Sequence, residues 1–415
     1  MGQLLMRATR SRLALCAAAL VATSAAHAAA WELDLDLRAV SSDATASVLD
    51  GGYSPVRFSE QQSGLQLGRL RLALDTPFGE VWRLHLDASS WGNDTYPNPV
   101  GLTEAYVQYR PYPFDDFRIR VKAGAFYAPL SLENQAGGWS SPYTLSYSAL
   151  NSWIAEELRT IGAETTVDWL GTRLGLPFDI DGVAGIFGWN EIAGAALVNG
   201  GFMLDDRQTS AFGRVGQLET QSDAYVDPFQ EIDGRAGYYG GMDIHFPGRL
   251  LVSAVHYDNR ADPTSSDAVS HVFAWHTTFN GAGVRAEYGP GWTLIGQWLA
   301  GRTEIAPNAQ LHAWPFNARY VLLSRRFGAH NMLSVRYDQF EVESRNTESE
   351  GQQNGHAWTA AYVYESGKSW TATLEYLRVT SSSYEASEDL DSPGPVTDTQ
   401  VQLAIRYAFG AAGGY

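Results

Sequence analysis

Residues 397–409 set Val401, Leu403, Ile405, Tyr407 and Phe409 against Gln402, Ala404, Arg406 and Ala408. A repeat of two sorts side chains onto opposite faces of an extended chain, so this segment is a strand with one oily face. The pattern recurs at 31–40, where Trp31, Leu33, Leu35 and Leu37 alternate with Glu32, Asp34, Asp36 and Arg38. Similar segments follow at 64–75, 80–91, 102–111, 117–126, 159–169, 181–190, 235–246 and 249–259. The remainder are 268–288, 292–302, 314–326, 332–343, 356–365 and 370–380. The count is about sixteen strands of about ten residues each, long enough to cross a bilayer when tilted.

The connections alternate in length. Tight turns rich in Gly, Pro and Asp fall at 76–79, 113–116, 246–248, 289–291, 327–330 and 366–369. Long polar loops lie between them at 41–63, 92–101, 127–158, 191–234, 260–267, 303–313, 344–355 and 381–396. Short turns on one side, long loops on the other and an even strand count predict an all-β transmembrane antiparallel barrel with both ends of the chain on the turn side. Residues 170–180 make an untidy turn, and Gly281 with Gly283 predicts a bulge. Trp82, Trp91, Trp169, Phe246, Tyr288, Trp292, Trp314, Tyr337, Tyr364, Trp370 and Tyr407 collect where strands meet connections, as aromatic girdles do at headgroup depth.

Residues 1–28 read as an export signal: Arg7, Arg10 and Arg12, an apolar stretch at 13–21, then the small-residue site Ala26-His27-Ala28. That leaves 29–415 as one barrel domain in the outer membrane. The single cysteine, Cys16, falls inside the signal, so no disulfide or thiolate metal site is expected, and no cofactor. With 29 basic and 46 acidic residues the chain carries a net charge of −17, which argues against nucleic acid as a partner.

If Phe117, Ile119, Val121 and Ala123 face lipid, Arg118, Arg120 and Lys122 face inward. Arg69, Arg71, Arg83, His85 and Arg110 extend this basic wall, partly neutralised by Asp87 and Glu104. Stacked cations are unfavourable in a dry core and acceptable beside water, so they predict either a charged channel lining or an interstrand salt-bridge ladder. The loop at 127–158 is rich in Trp139, Tyr143, Leu145, Tyr147, Leu150 and Trp153, and is expected to fold into the barrel as its third loop. Its Glu133, Glu156 and Glu157 then either face the basic wall across a constriction or cap the loop's own turns.

The histidines are scattered, and neither Gly-X-Ser-X-Gly nor His-Glu-X-X-His occurs, so no catalytic site is expected. Gly367-Lys368-Ser369 fits a turn better than a phosphate loop, because Tyr362 stands where the leading glycine belongs. Two loops carry acid clusters: Glu341, Glu343, Glu348 and Glu350, and Glu385, Glu388, Asp389 and Asp391. Such carboxylates are either plain solvated surface or a divalent-cation bridge to lipopolysaccharide.

The export signal, the strand pattern, the terminal Tyr407-Ala408-Phe409 and the stretch from Gly124 through Tyr127-Ala128-Pro129-Leu130 to Glu133 together resemble Gram-negative porins, most closely the phosphate-selective O/P type. That resemblance implies a sixteen-stranded barrel, commonly trimeric, with an inward third loop and a bore whose arginines and lysine attract anions; only Arg118, Arg120 and Lys122 match the strand that leads into that loop. The expected function is passive diffusion of small hydrophilic solutes, with a possible anion preference. The other reading is a non-conducting barrel that acts as a receptor, adhesin or lipopolysaccharide-bound structural protein.

Overall fold

The computed structural model describes residues 29–92, 100–216, 225–269, 272–345, 351–384 and 394–411; the expected export signal and most of the two acid clusters lie outside these. The strands are β1 (Ala30–Ser42), β2 (Gly64–Phe78), β3 (Trp82–Ser90), β4 (Val100–Tyr109), β5 (Phe117–Tyr127), β6 (Arg159–Trp169), β7 (Asp179–Gly188) and β8 (Gly237–Phe246). They continue as β9 (Leu250–Asp258), β10 (His276–Tyr288), β11 (Trp292–Ile305), β12 (His312–Phe327), β13 (Asn331–Val342), β14 (Gln353–Ser366), β15 (Trp370–Ser383) and β16 (Val396–Ala411). Each pairs antiparallel with its neighbours in sequence, and β1 closes the ring on β16 with Trp31 opposite Ala411 and Ser42 opposite Gln400. Closure leaves no unpaired edge, the condition for a sheet to sit in hydrocarbon.

Alternation sorts the two faces as the sequence predicts. On β1 Leu33, Leu35 and Leu37 are exposed on the outer surface, while Asp34, Asp36 and Arg38 are buried inside. Phe117 is 44% exposed, and Val121 and Ala123 share an outer apolar dimple with Trp82 and Tyr109, so the even-numbered side chains of β5 point inward.

Two expectations need correction. The register of β10 runs unbroken past Gly281 and Gly283 against both β9 and β11, so no bulge lies there. The missing side chain at Gly283 instead makes room for an inward-lying residue, since a Cβ there would sit 2.6 Å from Leu132 Cδ1. The register shifts fall at Asp36/Leu37 and at Asp87/Ala88. Trp91 and Trp314 are not girdle residues; both are buried, and Trp314 shares the inner face of β12 with Phe316 and Ala318. The untidy turn before β7 is ordered by a short 3-10 helix, Gly171–Leu174.

Among the described residues two loops carry α-helices. In α1 (Ala149–Glu157) the Ser148 side chain caps the N-terminus by accepting from Asn151 N–H, and all nine residues are buried. The loop before β8 contains α2 (Ala195–Gly200) and a minimal hairpin pairing Val215 with Val226. A helix with no exposed face must be enclosed on all sides, and α1 is packed on inward side chains of the barrel.

Candidate functional site

The lumen divides into two halves. Toward the long loops, Trp153 of α1 meets Phe279 of β10 at 5.6 Å and Phe316 of β12 at 4.9 Å, and Phe202 from the loop before β8 packs edge-on against it at 6.1 Å. Phe187 of β7, Tyr257 of β9 and Phe279 continue this packing as a stacked aromatic row. Here the inward-pointing wall positions are aromatic, and the loops supply the rest of a dry core.

Side-chain hydrogen bonds tie these loops to the wall. The segment 128–158 leaves β5 and is held by strands across the bore, for β13 lies eight places from β5 in the ring. Arg336 of β13, fully buried, donates through Nη1 to Glu133 at 2.6 Å, through Nε to Asp338 at 2.8 Å and through Nη2 to the Tyr147 carbonyl at 2.8 Å. Glu375 of β15 accepts from the N–H groups of Leu145 and Ser146, at 2.6 and 3.1 Å. Gln297 of β11 accepts from Leu132 N–H at 3.1 Å.

A second segment, 189–212, is clamped by Asp206, which accepts from Arg38 of β1 at 2.5 Å and from Arg57 at 2.8 Å. Burial alone would raise this carboxyl, but the two guanidinium groups hold it well below the usual carboxylate range. The two segments also bond to each other. The Asp205 carbonyl accepts from Tyr147 N–H at 2.8 Å and from Ser152 Oγ at 3.1 Å. Glu157 accepts from Trp153 Nε1 at 2.7 Å and from the N–H groups of Gly194, Ala196 and Leu197 at 3.2, 2.8 and 3.1 Å. Burial pushes Glu157 up to about 7, and these four donors oppose the rise. Burial likewise raises Asp205 to about 7.

Toward the short turns the lining is charged and open. Arg71 donates to Glu32 at 2.5 Å, Asp34 at 2.7 Å and Asp87 at 2.6 Å. His85 lies 3.0 Å from Asp75 and 3.9 Å from Glu104, and its ring stacks on Tyr106. A cavity of about 690 Å³ opens among these groups and the tip of the 128–158 segment.

Of the basic residues, Arg69 is buried and donates to the Gly138 carbonyl at 3.1 Å, and Arg83 is half-buried on the inner face of β3. Arg118 and Arg120 both face Asp168 of β6, at 3.7 and 2.7 Å, and Lys122 faces Glu164 at 3.1 Å. They form an interstrand ladder, the alternative to a bare cationic wall. Arg110 does not line the wall: β4 ends at Tyr109, Pro111 has no N–H to extend it, and Arg110 is exposed in the turn. Nor do the three glutamates oppose the Arg118 ladder. Glu133 is paired with Arg336, Glu157 caps α2, and Glu156 is buried with an oxygen lacking any partner among the described residues. In the acid clusters, Glu341 accepts from Asn317 at 3.2 Å and Glu343 is exposed.

The most heavily bonded polar groups were not among the predicted site residues. Asp36, Arg38, Arg336, Asp338 and Glu375 all sit at inward positions of alternating strands, a signal that was present. Arg57 and Asp206 lie in irregular loops, where no periodicity marks them.

No family model matches the chain, and no curated protein sequence matches it. Solved structures do. The outer membrane channel DcaP of Acinetobacter baumannii is 12% identical, with 92% of this chain and 96% of that one covered at a TM-score of 0.53. A loop-deletion form of OmpT of Vibrio cholerae is 9% identical, covering 92% and 98% at 0.51. An anion-selective porin from Comamonas acidovorans is 14% identical, covering 92% and 99% at 0.50. At such identities the likeness is one of fold: the protein is a closed sixteen-stranded barrel of porin architecture.

Proposed function

We propose that the barrel is a passive channel for small hydrophilic solutes, narrowed from within by the segments 128–158 and 189–212. One observation carries this reading: a closed ring of sixteen strands has a charged inner face. Side chains alone cannot fill a ring of that size, and barrels of about sixteen strands enclose water. Charge belongs on a wall that water wets. The inward segments hang on the wall by side-chain bonds and are not strands of the barrel sheet, so they can narrow the bore and also shift.

Selectivity in this reading is weak. The Arg118–Arg120–Lys122 row meets Asp168 and Glu164, leaving three cations against two carboxylates, a small anion bias at most. The phosphate-selective likeness is not needed for it. Association in threes belongs to the same proposal, as OmpT of Vibrio cholerae is described in a trimer form.

The purified protein in a planar bilayer should give discrete conductance steps, and liposomes carrying it should swell in small polar solutes. A correctly folded barrel silent in both assays would overturn the proposal. It would favour the second reading, a non-conducting receptor, adhesin or lipopolysaccharide-bound barrel, which draws on the dry aromatic packing around Trp153.

A further inference from the structure

We infer that the turn-side cavity is a binding site for a neutral polyhydroxylated solute of mono- or disaccharide chemistry. The inference deepens the channel reading and rests on it for the solute's route. At about 690 Å³ the space suits a small molecule. Asp75, His85, Glu104, Tyr106, Asn134 and Trp139 line it.

Most charges of this lining compensate one another. His85 lies between Asp75 and Glu104, and Glu32 is joined to Arg71, while Lys368 is an exposed cation of the same lining. A charged ligand seated among the paired groups would have to break these pairs. The buried groups left unmet are neutral ones. Asn134 is only 4% exposed, lines the cavity, and neither its amide oxygen nor its amide nitrogen has a partner among the described residues. A buried amide without partners is unfavourable by itself and favourable once a ligand supplies a donor and an acceptor, as a hydroxyl does.

The second observation is the presentation of Trp139. The turn Ala136–Ser140 is closed by backbone bonds of 2.9 and 3.4 Å, and its tip holds Gly138 at φ 63° and Trp139 at φ 47°. A left-handed tryptophan is strained and persists only where its surroundings enforce it. Here Arg69 and Gln208 both donate to the Gly138 carbonyl, at 3.1 and 2.8 Å, and Tyr127 stacks on the indole at 4.2 Å. The outcome is an aromatic surface fixed at the cavity beside a buried amide that lacks partners among the described residues. Flat rings suit the C–H faces of a sugar, and amides suit its hydroxyls.

The test uses the full chain in detergent, titrated with glucose and sucrose and, in parallel, with potassium glutamate and lysine hydrochloride. Tryptophan emission and calorimetry are the readouts. Saturable binding of sugars and none of the charged solutes is expected, with Asn134→Ala weakening it about tenfold. Tyr106→Phe serves as a second variant, and a retained heat-modifiable band on gels certifies each barrel. Absence of sugar binding, binding by both variants equal to the parent, or equal binding of the charged solutes overturns the inference. Sugar binding without conductance rejects the channel reading alone, whereas conductance without sugar binding rejects this site alone.

Discussion

The two halves of the lumen use one rule of alternation to opposite ends. Near the short turns the inward positions carry Asp34, Arg71, His85 and Asp87, and a cavity of about 690 Å³ opens between this wall and the tip of the 128–158 segment. Near the long loops the inward positions carry Tyr257, Phe279, Phe316 and Phe340, and α1 and α2 fill the space between. Charge at inward positions needs water or a buried partner, while aromatic side chains need contact, so the residue type at each inward position determines where the bore is wet. Arg336 belongs to both worlds, for it is a charge in the dry half.

That makes Arg336→Ala the sharpest way to break the contrast. It strands Glu133 and Asp338 as buried charges, a change that destabilises by about 3–5 kcal/mol where the partner is lost completely. Because Arg336 joins the 128–158 segment to the wall, the loss should fall on that segment while the strands persist. We expect a several-fold rise in single-channel conductance and new protease cleavage between residues 131 and 148, with the heat-modifiable band retained. Unchanged conductance would mean that the segment does not limit the bore.

Next in size comes Trp153→Ala, which empties the centre of the aromatic cluster at a cost of about 3 kcal/mol. Conductance noise should increase as the 128–158 segment loosens, and Trp153→Phe should recover most of the packing. Equal behaviour of the two variants in bilayer recordings would show that the dry half is held by its polar pins alone.

The barrel itself was legible because its signal is local. All sixteen strands, both chain ends on the turn side and the inward facing of Arg118, Arg120 and Lys122 follow from period two and turn residues. The 128–158 segment was legible only as a loop too aromatic to be a tether. Its attachments were not: Arg336 meets Glu133 across 203 positions of sequence, and Arg57 meets Asp206 across 149. Pairings of that separation depend on where an irregular loop comes to rest, which no repeat encodes. The same holds for Trp314, where alternation gives the face correctly and a preference of aromatics for strand ends misled.

A pH change acts on the contact between the two inward segments. The carboxyl of Glu157, raised to about 7 from its ordinary 4.5, favours the neutral form when docked. The sign follows: docking is strongest below about 4.5, weakens as pH rises, and has lost this contribution above about 7. Asp205, raised from 3.8 to about 7 by burial, acts in the same direction. Open probability in bilayers should therefore increase between about pH 5 and pH 8, and Glu157→Gln should flatten the response. A response of opposite sign would show that the four donors around Glu157 outweigh its burial.

The smallest effect concerns the wet half. Replacing Arg118, Arg120 and Lys122 together by alanine leaves Asp168 and Glu164 uncompensated, so the reversal potential in asymmetric potassium chloride should move toward cation preference. Arg118 and Arg120 are about a third exposed, and pairs of that kind contribute roughly 0.2–1 kcal/mol, which limits the change in permeability ratio to about fivefold. Adding Asp168→Asn and Glu164→Gln to the triple variant should return the ratio most of the way, because the ladder then disappears as a neutral unit. If the triple variant keeps the parent's ratio, the row does not border the ion path, and the wet half conducts along the opposite wall.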